Sequence, residues 1–110
     1  MLPLVIDEQK IFPFKFWFEG NIQDGMYYNK ELFCRLQVFD VRYRAQVYRF
    51  GVQICQQPET LVAIALSKET CSLWVSLRSP LVKTVLVEGV PLSIPNLEEA
   101  PKIDRSPSED

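Results

Sequence analysis

Between Asn29 and Gln57 the apolar residues fall into two stripes at helical spacing, and no other feature of the chain constrains the fold as strongly. One stripe is Leu32, Leu36, Phe39, Tyr43, Val47, Phe50 and Ile54. The other is Cys34, Val38, Val41, Ala45, Tyr48, Val52 and Cys55. At about 100° per residue the stripes point in nearly opposite directions. The spacing predicts one long helix over about residues 30–57, with Asn29 as N-cap, Glu31 in the first turn and Pro58 as the stop. Gly51 falls inside it, where it would permit close approach of a neighbour. A reading as two strands meets breaks in strict alternation at Val38-Phe39 and Val47-Tyr48, and no turn signal divides the segment. A helix with two apolar faces must be covered on both sides.

The flanking segments supply part of that cover. Leu2 to Ile6 reads as a short edge strand. Ile11 to Glu19 reads as a strand, with Phe12, Phe14, Phe16 and Phe18 alternating with Pro13, Lys15, Trp17 and Glu19. Pro13 places it at an edge or at its own start. Residues 20–28 read as a loop, with Asn21, Asp24 and Gly25 as turn formers. Thr60–Leu66 and Cys71–Leu77 read as a hairpin joined through Ser67-Lys68-Glu69-Thr70. In its second strand Cys71, Leu73, Val75 and Leu77 face one way, and Ser72, Trp74, Ser76 and Arg78 the other. Residues 81–87 suit either a strand, by composition, or a short helix opened by Ser79-Pro80 and closed by Gly89. The helix is the favoured reading.

The predicted fold class is therefore α+β: an antiparallel sheet of three to five strands with one long helix packed on one face. At 110 residues the chain makes one domain, residues 1–90. Residues 91–110 read as a disordered tail, rich in proline and in acids (Glu98, Glu99, Asp104, Glu109, Asp110).

Bulk chemistry narrows the function classes. A net charge of −2 gives no general attraction to nucleic acid or membrane. No apolar run approaches the roughly 18–20 residues of a membrane span. The opening Met-Leu-Pro-Leu-Val-Ile-Asp-Glu has no basic region and no cleavage pattern, so the expected compartment is the cytoplasm. Three cysteines without a secretory signal predict free thiols. With no histidine and no CxxC, no metal site or cofactor is expected. Catalytic residues are not expected either, because the commonest general base is missing and there is no phosphate loop or nucleophile elbow.

The candidate sites are therefore surfaces for a partner. The second helix stripe has regular heptad spacing and small side chains, and so resembles a seam for another helix, a peptide or a second copy. Its residues Val38, Val41, Ala45, Tyr48 and Val52 are the leading candidates, with Arg42 and Arg49 at the rim. Arg35, Arg42 and Arg49 are seven apart and would line one edge of the helix, either as an anion-facing ridge or as a solvated flank. Asp40 would pair with Arg44 at i+4. Trp17 and Trp74 lie on the polar faces of their strands and, if the two strands are neighbours, would share the sheet face away from the helix, as exposed anchors or beneath a cover.

The run FDVRYRAQVYRFGVQICQQ, followed by SLWVSLRSP, resembles small cyanobacterial proteins such as the carboxysome shell-assembly chaperones. The similarity spans about residues 30–80. It implies a cytosolic α/β protein that binds the tail of a shell protein without a cofactor, and it carries no site residue across. The leading functional expectation is a non-enzymatic interaction module, an assembly factor, adaptor or chaperone-like protein holding a partner helix or peptide beside the long helix. The alternative is a sensor domain with a small molecule held between sheet and helix, in a cavity among Phe14, Phe16 and Phe39. Nucleic-acid binding is disfavoured by the net charge.

Overall fold

The computed structural model describes residues 2–92 and 94. The strands are β1 Leu4–Asp7, β2 Phe14–Phe18, β3 Asn21–Tyr28, β4 Glu31–Asp40, β5 Val62–Leu66 and β6 Thr70–Ser76. They form one mixed six-stranded sheet in the order β1-β5-β6-β4-β3-β2. β1 runs parallel to β5, and the other neighbouring pairs are antiparallel. A 3-10 turn, Val41–Tyr43, leads into helix α1, Arg44–Ile54.

One long helix over residues 30–57 on an antiparallel sheet of three to five strands is thus not what forms. The first half of that segment is strand β4, and only the second half is helical. The cause of the misleading pattern lies in β4. Its register against β6 shifts between Arg35 and Gln37, so Leu36 is an extra residue. The bulge converts an alternation of two into the spacing Cys34, Leu36, Phe39, all packed in the core beneath α1. Steps of two and three across a bulge imitate the three-and-four steps of a helical stripe. Asp40 then ends the strand, because its carboxylate accepts the Arg42 backbone N–H at 2.9 Å and starts the 3-10 turn.

The turns carry the second correction. Asn29 and Lys30 have φ of 51° and 64°, so they form a two-residue hairpin turn of the I′ kind between β3 and β4, and Asn29 is not an N-cap. Glu19 and Gly20, with φ of 51° and 87°, do the same between β2 and β3. The expected loop 20–28 is therefore strand β3. Gly25 sits inside it, where an added Cβ would lie 2.9 Å from Phe16 Cε1 and 3.0 Å from Phe14 Cε1. Its bare backbone lets the β2 rings lean across the neighbouring strand.

Both sheet faces are covered in part. On one face α1 and the segment after β6 bury Cys34, Phe39, Val62, Ile64, Cys71, Leu73 and Val75 against Val47, Ile54 and Val82. Gly51 lets α1 come close, since a Cβ there would stand 3.1 Å from Pro3 Cγ and 3.3 Å from Val62 Cγ1. Ser79 caps the helical segment after β6, accepting the Leu81 N–H at 3.2 Å. That segment, α2, runs Pro80–Val82 and continues as a π-turn over Lys83–Val87.

The other face is covered by a crossing segment. β1 and β2 occupy opposite edges, so Glu8–Pro13 has to traverse the sheet. It passes over the face away from α1 and buries Ile11 with Ile6, Met26, Phe33 and Trp74. Glu8–Pro13 bridges the two edges in six residues, three of them in the 3-10 turn Glu8–Lys10. The expected acidic tail lies outside the described residues except for 91, 92 and 94, of which Leu92 and Ile94 pack on the α1-side core.

Candidate partner-binding cleft

β1 has four residues and α1 lies over β5 beside it, so the sheet edge is left partly open on the helix side. There a cleft of about 320 Å³ is lined by Val5, Arg44, Ala45, Tyr48, Arg49, Ile64 and Leu66. The helix residues follow from their spacing. Positions 44, 45, 48 and 49 form one flank of α1, next to the face that buries Val47, Gly51 and Ile54 in the core. Val5, Ile64 and Leu66 alternate with residues of the opposite face and so point to the helix side. A second hollow, about 510 Å³, meets the first at Val5 and Leu66 and continues past Asp7, Glu8 and Lys68. Together they make an elongated groove with an apolar middle and charged ends.

Arg44 and Arg49 are exposed at one end, and among the described residues neither has an ion-pair partner. The Arg44 charge reaches inward to Cys71, but burial dominates and pushes that thiol up to about 11. Burial likewise pushes Cys34 up to about 11 and raises Cys55. All three cysteines are free and buried. These are packed, protonated thiols rather than nucleophiles.

Of the residues singled out in the sequence, the structure brings Ala45, Tyr48 and Arg49 together in the cleft. Val52 is half-buried one turn further along α1, and Val41 and Arg42 sit in the 3-10 turn before it. Val38 is elsewhere: it pairs with Ser72 on the face away from α1 and is 45% exposed. The continuous heptad seam therefore does not exist, because its first residues belong to a strand. The arginine ridge fails for the same reason. Arg35 lies on β4 and pairs with Asp24, whereas Arg42 pairs with Asp40 at 3.2 Å. Asp40 serves Arg42, not Arg44, and the Arg42 backbone N–H holds its carboxyl below the usual value.

The two tryptophans share the face away from α1 but not an environment. Trp74 is fully buried beneath the crossing segment, while Trp17 is 71% exposed on edge strand β2. Across this face runs the row Ala63, Trp74, Arg35, Asp24, Lys15, one residue from each of five adjacent strands. Arg35 stacks over Trp74 and shares Asp24 with Lys15.

Sequence reasoning did not place Arg44, Val5, Ile64 or Leu66 in a site. A parallel pairing between the chain's first strand and its fifth has no local signature, and the cleft exists only because of that pairing. Compared with models of known families, with curated proteins and with solved structures, the chain matches none.

Proposed function

We propose that this chain is a non-enzymatic protein-interaction module, an assembly factor, adaptor or chaperone-like protein, that holds a partner peptide or helix in the groove beside α1. The observation that carries the reading is an apolar cleft floor flanked by two arginines that have no ion-pair partner among the described residues. An apolar side chain of the partner fills the space over Val5, Ile64 and Leu66. An acidic group next to it meets Arg44 and Arg49, whose planar forks suit carboxylates. The groove suits an extended segment or a helix, with affinity coming from buried apolar area and selectivity from the arginines.

The test is affinity capture with the full chain against Ala45→Glu and Arg49→Glu. Ala45 is exposed, so its substitution leaves the core intact. Both variants should melt like the parent and lose the captured partner. Undiminished capture by Ala45→Glu rules the cleft out.

A further inference from the structure

The second unusual surface lies at the far edge of the sheet. β2 is an edge strand with one neighbour, β3, and it is the most aromatic strand in the chain. Phe12 is 84% exposed, Trp17 71% and Phe14 40%. Together they leave about 400 Å² of aromatic surface open, at roughly 150–250 Å² per fully buried ring. A strand edge without a second neighbour leaves backbone groups free for pairing.

The backbone says which groups are free. In a two-residue I′ hairpin the closing pair exchanges both N–H···O bonds, and here that pair is Phe18 and Asn21. Phe14, Phe16 and Phe18 therefore turn their amides toward β3. Lys15 and Trp17 turn theirs to the open edge. Pro13, just before them, has no N–H to offer.

We propose that β2 pairs antiparallel with β2 of a second copy, about a twofold axis at Phe16. In this register Lys15 of each copy faces Trp17 of the other, and the outward N–H and C=O groups of both residues are all used, four bonds in total. The opposed side chains are complementary: the apolar stem of Lys15, whose ammonium is also paired with Asp24 of its own copy, lies against an indole face. Centring the axis on Lys15 would set two ammonium groups against each other and place Pro13 opposite Trp17, losing a donor. An axis on Trp17 would need Glu19, whose φ of 51° takes it out of the strand. Pro13 and the turn at Glu19 thus limit the pairing to one register and one partner. Strand pairing covers only part of the exposed aromatic surface of each copy, below the roughly 1,200 Å² of specific stable interfaces, so the dimer is a weak, reversible one. This surface is separate from the α1 groove, and neither occupies the other.

Sedimentation equilibrium of the full chain over a wide concentration range tests the proposal. A reversible monomer–dimer equilibrium is expected; a monomer at every concentration, or open-ended polymers, overturns it. Trp17→Lys places like charges opposite each other and should weaken the dimer about tenfold more than Trp17→Glu, which puts a carboxylate opposite Lys15. Equal weakening by both, or none by Trp17→Lys, refutes this register. Phe16→Cys adds a readout that survives a failure of either Trp17 variant to fold. Its thiols would meet across a non-hydrogen-bonded pair, about 4.5 Å between Cα atoms, and should oxidise to a cross-linked dimer. A variant that stays uncross-linked under oxidation counts against the axis at Phe16.

Discussion

The guanidinium of Arg35 lies 5.4 Å from the centre of the Trp74 ring, and the same group is ion-paired with Asp24. Cross-strand pairing sets Arg35 directly opposite Trp74. Replacing Arg35 with alanine should cost about 1–2 kcal/mol, the combined value of a partly buried stacked cation and its ion pair. Arg35→Lys should recover only part of this, since an ammonium lacks the planar fork that pairs two ways with a carboxylate and lies flat on a ring. A double-mutant cycle with Trp74→Leu, read by urea denaturation, should return a coupling of about 0.5–2 kcal/mol. Zero coupling would mean the ring and the cation are merely neighbours.

Asp24 carries the acid sensitivity of this face. The Lys15 ammonium beside it, with help from Arg35, holds its carboxyl below the usual value despite some burial. The unfolded chain binds that proton first as pH falls. The stabilisation is therefore complete above the ordinary carboxylate range and is lost as pH drops through the lowered folded value. Urea midpoints of the parent and Asp24→Asn should differ at neutral pH and converge in strong acid. A gap that stays constant with pH would show that the carboxylate's charge is not what matters.

The buried thiols predict the opposite limb. Burial holds Cys34 and Cys71 protonated to about 11, while an unfolded chain ionises them near 9. Stability is full below that lower value and declines as pH rises through the interval. In the native state at neutral pH, Ellman's reagent should find essentially no reactive thiol, and three after addition of urea. Prompt labelling of the folded chain would place a cysteine at the surface.

How far the sequence could be read depended on where the decisive interaction lay. The β5–β6 hairpin is local: the loop ties Ser67 to Thr70 through backbone and side-chain bonds, and the alternation on β6 is unbroken. The alternation of β2 was legible over Phe14–Phe18, although residues 11–13 of the expected strand belong to the crossing segment and Glu19 to the turn, and the cap Ser79-Pro80 was legible too. β4 was not, because the bulge at Leu36 destroys its period and α1 begins only four residues beyond its end. For the candidate cleft, the half built from Ala45, Tyr48 and Arg49 was visible as one side of a helix. The half built from Val5, Ile64 and Leu66 was not, since a parallel pairing of strands some sixty residues apart leaves no pattern in either. Whether Trp74 was exposed or covered stayed open in the sequence, because it shares a strand face with serines. The crossing segment that covers it is set by topology.

The turn between β3 and β4 provides the sharpest test of the revised fold. Lys30 has φ of 64°, a conformation that costs a residue with a Cβ about 1 kcal/mol. Asn-Gly would have announced the hairpin; Asn-Lys did not. Lys30→Gly should therefore stabilise the chain by roughly 0.5–1 kcal/mol, seen as a higher denaturant midpoint with an unchanged slope. Asn29→Ala, with φ of 51° at that position, should lower the midpoint by a similar amount. In a helix the glycine substitution has the reverse sign, costing about 1 kcal/mol. The direction of this one shift thus separates a hairpin at Asn29-Lys30 from a helix beginning there, and a lower midpoint for Lys30→Gly would refute the strand assignment of Glu31–Asp40.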